Sequence, residues 1–368
     1  MLIDRKPRLS RARELIIVTN WLRKSGGAER ITVLLTNILA QNYDVSLVVF
    51  EKNKNELANQ VDPKIKIIYL QNHSSHLGIL KLVKFLLKNP TSIYFAANHR
   101  IAVFLAFFRK VLCLKFKLVA RNISNLTLLM RGKPKIFNLL LRLIYPLVDL
   151  VFAQSQGMAA DLAENYNFNP KKIKILYNPV KPVEDLSCLN DNKNSVQKIL
   201  FIGRLSKEKG LDYMLEALIK LKDRGHDFLF TILGDGPLKN ELEASIRDTP
   251  LAKVTEFAGF QENVAKYLAR SNLLLLSSIY EGFPNVLIQA NSFGLPVVSF
   301  DTPFGPSEII IEGVNGYLAK YLSVEDFVEK IELALATSWS REKILCTVKR
   351  FSIEKFKEGL FSSIESFE

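Results

Sequence analysis

Short apolar runs punctuate the chain, and the stretches between them carry apolar residues three and four positions apart. In the first half the runs are ELIIVTNW (14–21), DVSLVVFE (44–51), KIKIIYL (64–70), SIYFAANH (92–99), KLVARN (117–122) and DLVFAQS (149–155). Runs this short and continuous predict strands buried on both faces. ITVLLTNILAQN and GMAADLAENY have the spacing of amphipathic helices. Their alternation predicts a parallel sheet covered by helices on both sides.

The alternation stops at KPVEDLSCLNDNKNSVQ (181–197), which is polar, rich in Asn and contains Pro182. It restarts with strands KILFIGRL (198–205), FLFTILGDG (228–236), VTEFAGF (254–260), LLLLSS (273–278) and VVSFD (297–301). Helices are expected over 211–224, 237–247, 262–270 and 285–293, and from 324 to 367. The simplest architecture is α/β, with two Rossmann-like doubly wound domains facing across a cleft. The expected boundaries are an N-terminal domain over 1–180, a linker over 181–197 and a C-terminal domain over 198–345. A final helix over 346–368 is expected to pack back toward the N-terminal domain.

A length of 368 residues fits two domains, and 48% hydrophobic content suffices for two cores. No run reaches 18 uncharged apolar residues, so no spanning helix is expected. The basic N-terminal arm lacks the apolar core and cleavage site of a signal peptide. Cys113, Cys188 and Cys346 are sparse and far apart, which suggests a reducing compartment rather than a disulfide framework.

Charge changes the picture more than composition does. Residues 1–180 hold 28 Lys and Arg against 10 acids, whereas residues 181–368 hold 22 against 27. Residues 63–148 carry 15 Lys and Arg and no acid. Such asymmetry points to a polyanionic partner for the first half: a phospholipid surface, a lipid-linked phosphate or a nucleic acid.

In open α/β sheets ligands bind beyond the carboxyl ends of strands. GRLSKEKG (203–210) places Arg204 at such an end and Lys209 just before a helix. Two cations beside helix amides suit a diphosphate, though two solvated surface charges would read the same way. KSGGAER (24–30) sets Gly26 and Gly27 between the first strand and first helix, where glycine lets backbone approach an anion; a plain turn is the alternative. GDGPLKNE, with Gly234, opens a helix after a tight turn and reads as structural first. YEGFPNV places Glu281 beside a helix start, an unusual cap, which suggests an acceptor aimed at a hydroxyl-rich ligand. Gln289 lies eight residues on, slightly over two helical turns, and can share that face.

The order Gly-Gly-Ala-Glu, Arg-x-x-x-x-Lys, EGFPNVLIQA, DTPFGPSEII and GVNGYL resembles glycosyltransferase family 4 over essentially the whole chain. The resemblance implies the GT-B arrangement and a retaining, nucleotide-sugar-dependent transferase. The bacterial branch that builds capsule, exopolysaccharide, lipopolysaccharide O-antigen or lipid-linked oligosaccharide is the most similar. It implies that Arg204 and Lys209 hold the donor diphosphate and that Glu281 accepts hydrogen bonds from donor-sugar hydroxyls. Gly282, Phe283 and Pro284, with Asn285, would line the sugar and diphosphate through backbone. Gln289 would meet the ribose, Gly26 and Gly27 would close over the phosphates, and Phe257 and Gly259 in EFAGF would border the base. The family pattern has Glu where this chain has Gln289, so weaker donor binding is expected. His99, in AANHR, is the candidate for the histidine that many members carry near the reacting carbon; a lone histidine is more often structural, and Arg121 with Asn122 competes for that place.

No Asp-x-Asp occurs in the sequence, so no metal and no other cofactor is expected, and the nucleotide-sugar is a substrate. The resemblance implies a UDP-sugar donor carrying a hexose or N-acetylhexosamine, and a lipid-linked or polysaccharide acceptor. LGILKLVKFLLKNP (77–90) and KPKIFNLLLRLIYPLV (133–148) read as lysine- and leucine-rich interfacial helices on an anionic membrane. The protein is therefore expected in the cytoplasm, peripheral on the inner face of the cytoplasmic membrane. Two other readings remain: a nucleotide-sugar epimerase of the same architecture, and a non-catalytic binding protein. Nucleic acid is not expected as a partner, because no stacking-aromatic motif accompanies the charge.

Overall fold

The computed structural model describes residues 13–24, 27–53, 55–71, 75–90, 92–181, 183 and 196–366. Gly26, Cys188 and most of the expected linker lie outside the described residues. The chain divides into two compact units. One holds the described residues up to Gln154 together with Ala159–Ile175, and the other holds Ser155–Met158 and Leu176–Ser366.

The first unit contains strands β1 (Glu14–Thr19), β2 (Asp44–Glu51), β3 (Lys66–Gln71), β4 (Ile93–Ala96), β5 (Lys117–Asn122), β6 (Leu150–Ala153) and β7 (Ile173–Ile175). Its helices are α1 (Gly27–Leu39), α2 (Ser75–Lys88), α3 (His99–Val111), α4 (Leu126–Leu129) and α5 (Lys135–Ile144); α6 (Gln156–Asn165) follows β6. The strands pair in the order β3-β2-β1-β4-β5-β6-β7, parallel throughout.

The second unit contains β8 (Gln197–Ile202), β9 (Phe228–Leu233), β10 (Thr255–Gly259), β11 (Leu273–Leu276), β12 (Val297–Phe300) and β13 (Gly316–Ala319). Its helices are α7 (Leu211–Asp223), α8 (Lys239–Arg247), α9 (Ala265–Leu268), α10 (Asn285–Ser292), α11 (Pro306–Ile309), α12 (Val324–Ala336), α13 (Arg341–Thr347) and α14 (Ile353–Glu365). The order is β10-β9-β8-β11-β12-β13, again parallel. Both units are thus Rossmann-like, with the strand order reversing beside the first strand of each sheet.

The apolar runs explain why these sheets are double-sided. Along β11, Leu273 and Leu275 enter one core cluster with Ile199, Phe201 and Phe300, while Leu274 and Leu276 enter the other with Leu200, Leu287 and Ile288. Side chains alternate across a strand, so a run apolar at every position fills both faces. Each fully buried leucine contributes about 2 kcal/mol of transfer free energy.

Several elements differ from the sequence expectation: the final helix expected over 346–368 is α14 (Ile353–Glu365), the helical stretch before it is broken into α12 and α13, and α11 (Pro306–Ile309) was not expected. The helix expected over 262–270 contracts to α9, because Asn263 Oδ1 accepts the Ala265 N–H and starts the turn late (2.9 Å). Strand β13, which begins within GVNGYL and ends at Ala319, was not expected, since four residues opening on glycine give too little apolar pattern.

The asparagine of that motif has a structural task. Asn315, fully buried, shares its two Nδ2 hydrogens among Asn291 Oδ1, the Ile309 carbonyl and Thr347 Oγ1, each at 3.0 Å. Its Oδ1 accepts the Ile311 N–H at 2.7 Å. One side chain therefore ties α10, the end of α11 and α13 to the start of β13, and leaves no buried polar group unmatched at that junction.

Candidate active site

In the second unit the strand order reverses between β8 and β11, so their carboxyl ends flank the expected crevice. The loop after β8 carries Gly203 and exposed Arg204, then a tight turn over Lys207–Lys209. Gly210 ends that turn at φ +56°, and a Cβ there would stand 2.2 Å from the Ser277 carbonyl oxygen. Only glycine lets this turn lie so close to the segment after β11. Ser277 Oγ donates to the Lys209 carbonyl at 2.9 Å, and the Ile279 N–H donates to the Glu208 carbonyl at 2.9 Å.

This close approach brings Lys209 and Glu281 together. Lys209 Nζ donates to Glu281 Oε1 at 2.6 Å, and Ser278 Oγ donates to the same oxygen at 2.6 Å. Both charged side chains are mostly buried. Glu281 Oε2 is left as the acceptor of the pair. Sequence reasoning named both residues but neither their pairing nor Ser278. Arg204 makes no ion pair among the described residues, so its guanidinium fork is available to an anion.

The glycine-rich turn after β9 is fitted to the same loop. Gly234 has φ +148°, and a Cβ would meet the Gly203 carbonyl oxygen at 1.8 Å. Leu205 N–H donates to the Asp235 carbonyl and Leu238 N–H to the Leu205 carbonyl, both at 3.0 Å. Near the end of β10, Phe257 is partly buried against the core. Gly259 has open space around it, and the exposed ring beside it is Phe260. Strand alternation and the register shift between Phe257 and Gly259 account for this.

Helix α10 starts at Asn285 as expected, with Pro284 at its cap (ψ 84°), so Glu281 does not share its face. Glu281 therefore sits in the loop four residues before the helix, and the eight-residue step to Gln289 runs from loop to helix. Gln289 is half-buried on the second turn. Phe283 points into the core against Tyr177 and Phe351, so only its backbone can border a ligand. Gly282 and Pro284 lie against Gly305, and Asn285 Oδ1 is held by Asn178 Nδ2 at 2.8 Å.

The first unit has its own cavity, of about 180 Å³, at the matching reversal between β1 and β4. Thr19 at the end of β1, Trp21 after it, Glu29 and Thr32 on α1, and Asn98 with His99 after β4 line it. Asn98 caps α3 by accepting the Ile101 N–H at 3.1 Å, which sets His99 on its first turn. His99 is 6% exposed and its Nδ1 has no hydrogen-bond partner among the described residues. Burial, assisted by Arg100, pushes its pKa down to about 4, so the imidazole is neutral. Trp21 Nε1 donates to Glu29 Oε1 at 2.8 Å, and the Arg23 guanidinium lies 4.2 Å from the Trp21 ring centre. Trp21 closes the run ELIIVTNW and lies two residues beyond the end of β1, the signal by which sequence reading could have found it.

Arg121 and Asn122 do not share that role. Both are buried, and Arg121 is turned beneath the start of α1. Its Nη1 donates to the Ala28 carbonyl at 3.3 Å, while Nη2 and Nε reach the Gln154 side-chain oxygen at 2.7 and 3.1 Å. Burial pushes its pKa down to about 9, with the Glu29 charge acting in the opposite sense. Arg121 is a strut for the α1 N-terminus, where Gly27 opens the helix. Among the described residues no three His, Cys, Asp or Glu side chains gather as a cation site.

Comparison with known proteins agrees with this layout. The profile described as Glycosyltransferase Family 4 matches residues 25–184, and that described as Glycosyl transferases group 1 matches residues 190–358. A Campylobacter jejuni protein is 31% identical over 313 residues, covering 80% of this chain and 83% of its own. It is named N-acetylgalactosamine-N,N'-diacetylbacillosaminyl-diphospho-undecaprenol 4-alpha-N-acetylgalactosaminyltransferase. The amylovoran biosynthesis glycosyltransferase AmsD of Erwinia amylovora is 27% identical, over 89% of this chain and 92% of its own. Among solved structures, HepE of Anabaena in complex with UDP and glucose superposes with a TM-score of 0.77 at 18% identity, over 96% of this chain and all of its own. Two Rossmann-like units in this order, matched by both profiles and by a relative aligned over most of its length, place the chain in glycosyltransferase family 4, as a GT-B glycosyltransferase of bacterial glycan biosynthesis.

Proposed function

We propose that the protein moves a hexose or N-acetylhexosamine from a UDP-sugar to a lipid-linked acceptor, with retention and without a metal ion. The observation that carries this reading is the Lys209–Glu281 pair at the carboxyl ends of β8 and β11, with Arg204 in the same loop as Lys209 and making no ion pair among the described residues. As the bond between the anomeric carbon and the diphosphate breaks, negative charge grows on the departing phosphate. Arg204 and Lys209 supply fixed positive charge there, in place of a metal. Glu281, anchored through Oε1, presents Oε2 to a donor-sugar hydroxyl. The acceptor oxygen bonds to the anomeric carbon on the face the phosphate leaves, and its proton passes to a phosphate oxygen. His99, neutral and with Nδ1 unpartnered, offers a hydrogen bond to a sugar hydroxyl in the first unit's cavity.

The lipid-linked acceptor is supported by the name of the Campylobacter relative, which specifies a diphospho-undecaprenol glycan. UDP is supported by the nucleotide in the HepE complex. No described helix is long and apolar enough to cross a membrane. We place the enzyme at the inner face of the cytoplasmic membrane, held through residues 77–90 and 133–148.

The test is UDP release from a panel of UDP-hexoses and UDP-N-acetylhexosamines with an undecaprenyl-diphosphate glycan, with and without EDTA. Acceptor-dependent UDP release that survives EDTA and is lost in Arg204→Ala is expected. Release abolished by EDTA and restored by Mg²⁺ or Mn²⁺ would overturn the charge assignment. No release from any UDP-sugar would overturn the donor.

A further inference from the structure

Helix α5 is inside out. Ile136, Leu139, Leu140 and Leu143 follow the i, i+3, i+4, i+7 spacing that normally faces a core. Here that stripe faces outward, with the four side chains 55%, 50%, 39% and 60% exposed. Phe137 beside it is also exposed, and Leu141 is the buried residue of the helix. The neighbouring α3, on which α5 packs, adds exposed Phe107 and Val111.

Helix α2 has the ordinary orientation. Leu82 and Leu86 are buried, and Lys81, Lys84 and Lys88 point to solvent. The two segments look alike in sequence, but α2 buries Leu82 and Leu86 and exposes its lysines with Leu80 and Leu87, whereas α5 exposes a complete leucine-rich stripe.

We propose that α5 lies in the plane of an anionic bilayer and inserts its Ile136–Leu139–Leu140–Leu143 stripe below the headgroups. This rests on the membrane-surface reading above and goes further by assigning insertion to α5 and headgroup contact to α2. Charge selects the occupant. Lys133, Lys135 and Arg142 accompany the stripe, and no acid occurs from residue 63 to residue 148. Such a surface repels a second copy of itself and attracts anionic lipid. At ten residues, α5 is about 15 Å long, roughly half the hydrocarbon thickness, so it can lie in the interface but not span it.

The experiment is flotation of the full chain with phosphatidylcholine vesicles, with and without phosphatidylglycerol. Wild type is compared with Leu139→Gln/Leu143→Gln, and both are assayed for UDP-dependent thermal stabilisation and for mass by sedimentation. A partition coefficient on phosphatidylglycerol vesicles lowered about tenfold or more in the double variant, with UDP stabilisation kept, is the expected result. Equal flotation of the two proteins would overturn the α5 assignment and leave the membrane reading standing. Failure of the wild type to float on either vesicle would overturn both. A wild-type dimer that becomes a monomer in the variant would assign the stripe to a second copy instead.

Discussion

Lys209 and Glu281 are 72 residues apart in sequence and 2.6 Å apart in space, joined at one carboxylate oxygen that Ser278 also holds. The pair fixes the carboxylate before any donor arrives. Glu281→Gln keeps the shape and removes the charge. We expect kcat to fall by about 10²-fold or more with little change in KM, because the interaction is strongest as charge develops. Steady-state kinetics on the preferred UDP-sugar checks this; a change confined to KM would make Glu281 a binding residue only.

Gln289 predicts a gain. Replacing it with Glu supplies a charged acceptor for a ribose hydroxyl, worth about 1 kcal/mol, or roughly a fivefold lower Kd for UDP. Calorimetric titration with UDP reads it directly, and kcat should change little. An unchanged or higher Kd would move the ribose away from this position.

His99 predicts a pH dependence of stability. Its pKa is near 6.5 unfolded and about 4 folded. Above pH 6.5 both states are neutral and the residue is without effect. As pH falls from 6.5 toward 4 the unfolded state takes up a proton that the folded state does not, so stability declines across that window and levels off below it. The full decline is at most roughly 3 kcal/mol. Urea midpoints between pH 7.5 and 4.5 should fall less steeply in His99→Gln; parallel slopes would remove His99 from the account.

Arg121 predicts a structural loss with a local signature. Arg121→Met removes the partner of Gln154 and of the Ala28 carbonyl inside the fold, for a destabilisation of about 3 kcal/mol. Arg121→Lys should recover little, since a single ammonium cannot serve both at once. Hydrogen exchange at the start of α1 should quicken more than exchange at β5; uniform acceleration would contradict the strut.

Two glycines with positive φ should respond differently to alanine. At Gly234 the added methyl meets the Gly203 carbonyl oxygen, and a loss of about 3 kcal/mol or more is expected. At Gly259 there is open space, and only the conformational cost of about 1 kcal/mol applies. Thermal melts of Gly234→Ala and Gly259→Ala provide the comparison.

The parallel sheets were legible because runs such as LLLL at β11 are apolar at every position, which only a doubly covered strand requires. The site was legible as a set of residues and not as a set of contacts. That Lys209 meets Glu281 depends on β8 lying next to β11, an adjacency no local pattern encodes. EFAGF was expected to border the base as a segment; within it Phe257 packs partly buried against the core and Phe260 is the exposed ring, a division set by the bulge before Gly259. Arg121 looked site-facing for the same reason, while burial beneath α1 depends on the path of a helix that begins more than ninety residues earlier in the chain.

The Asn315 hub bears on how such chains are recognised. GVNGYL helps carry the resemblance, yet Asn315 is spent wholly on holding α10, α11, α13 and β13 together. A copy of this gene that had lost transfer would still need that asparagine to fold. It would match the same motif as well as an active enzyme does. Sorting working transferases from silent duplicates therefore calls for reading positions 204, 209 and 281, where folding makes weaker demands and chemistry makes stronger ones.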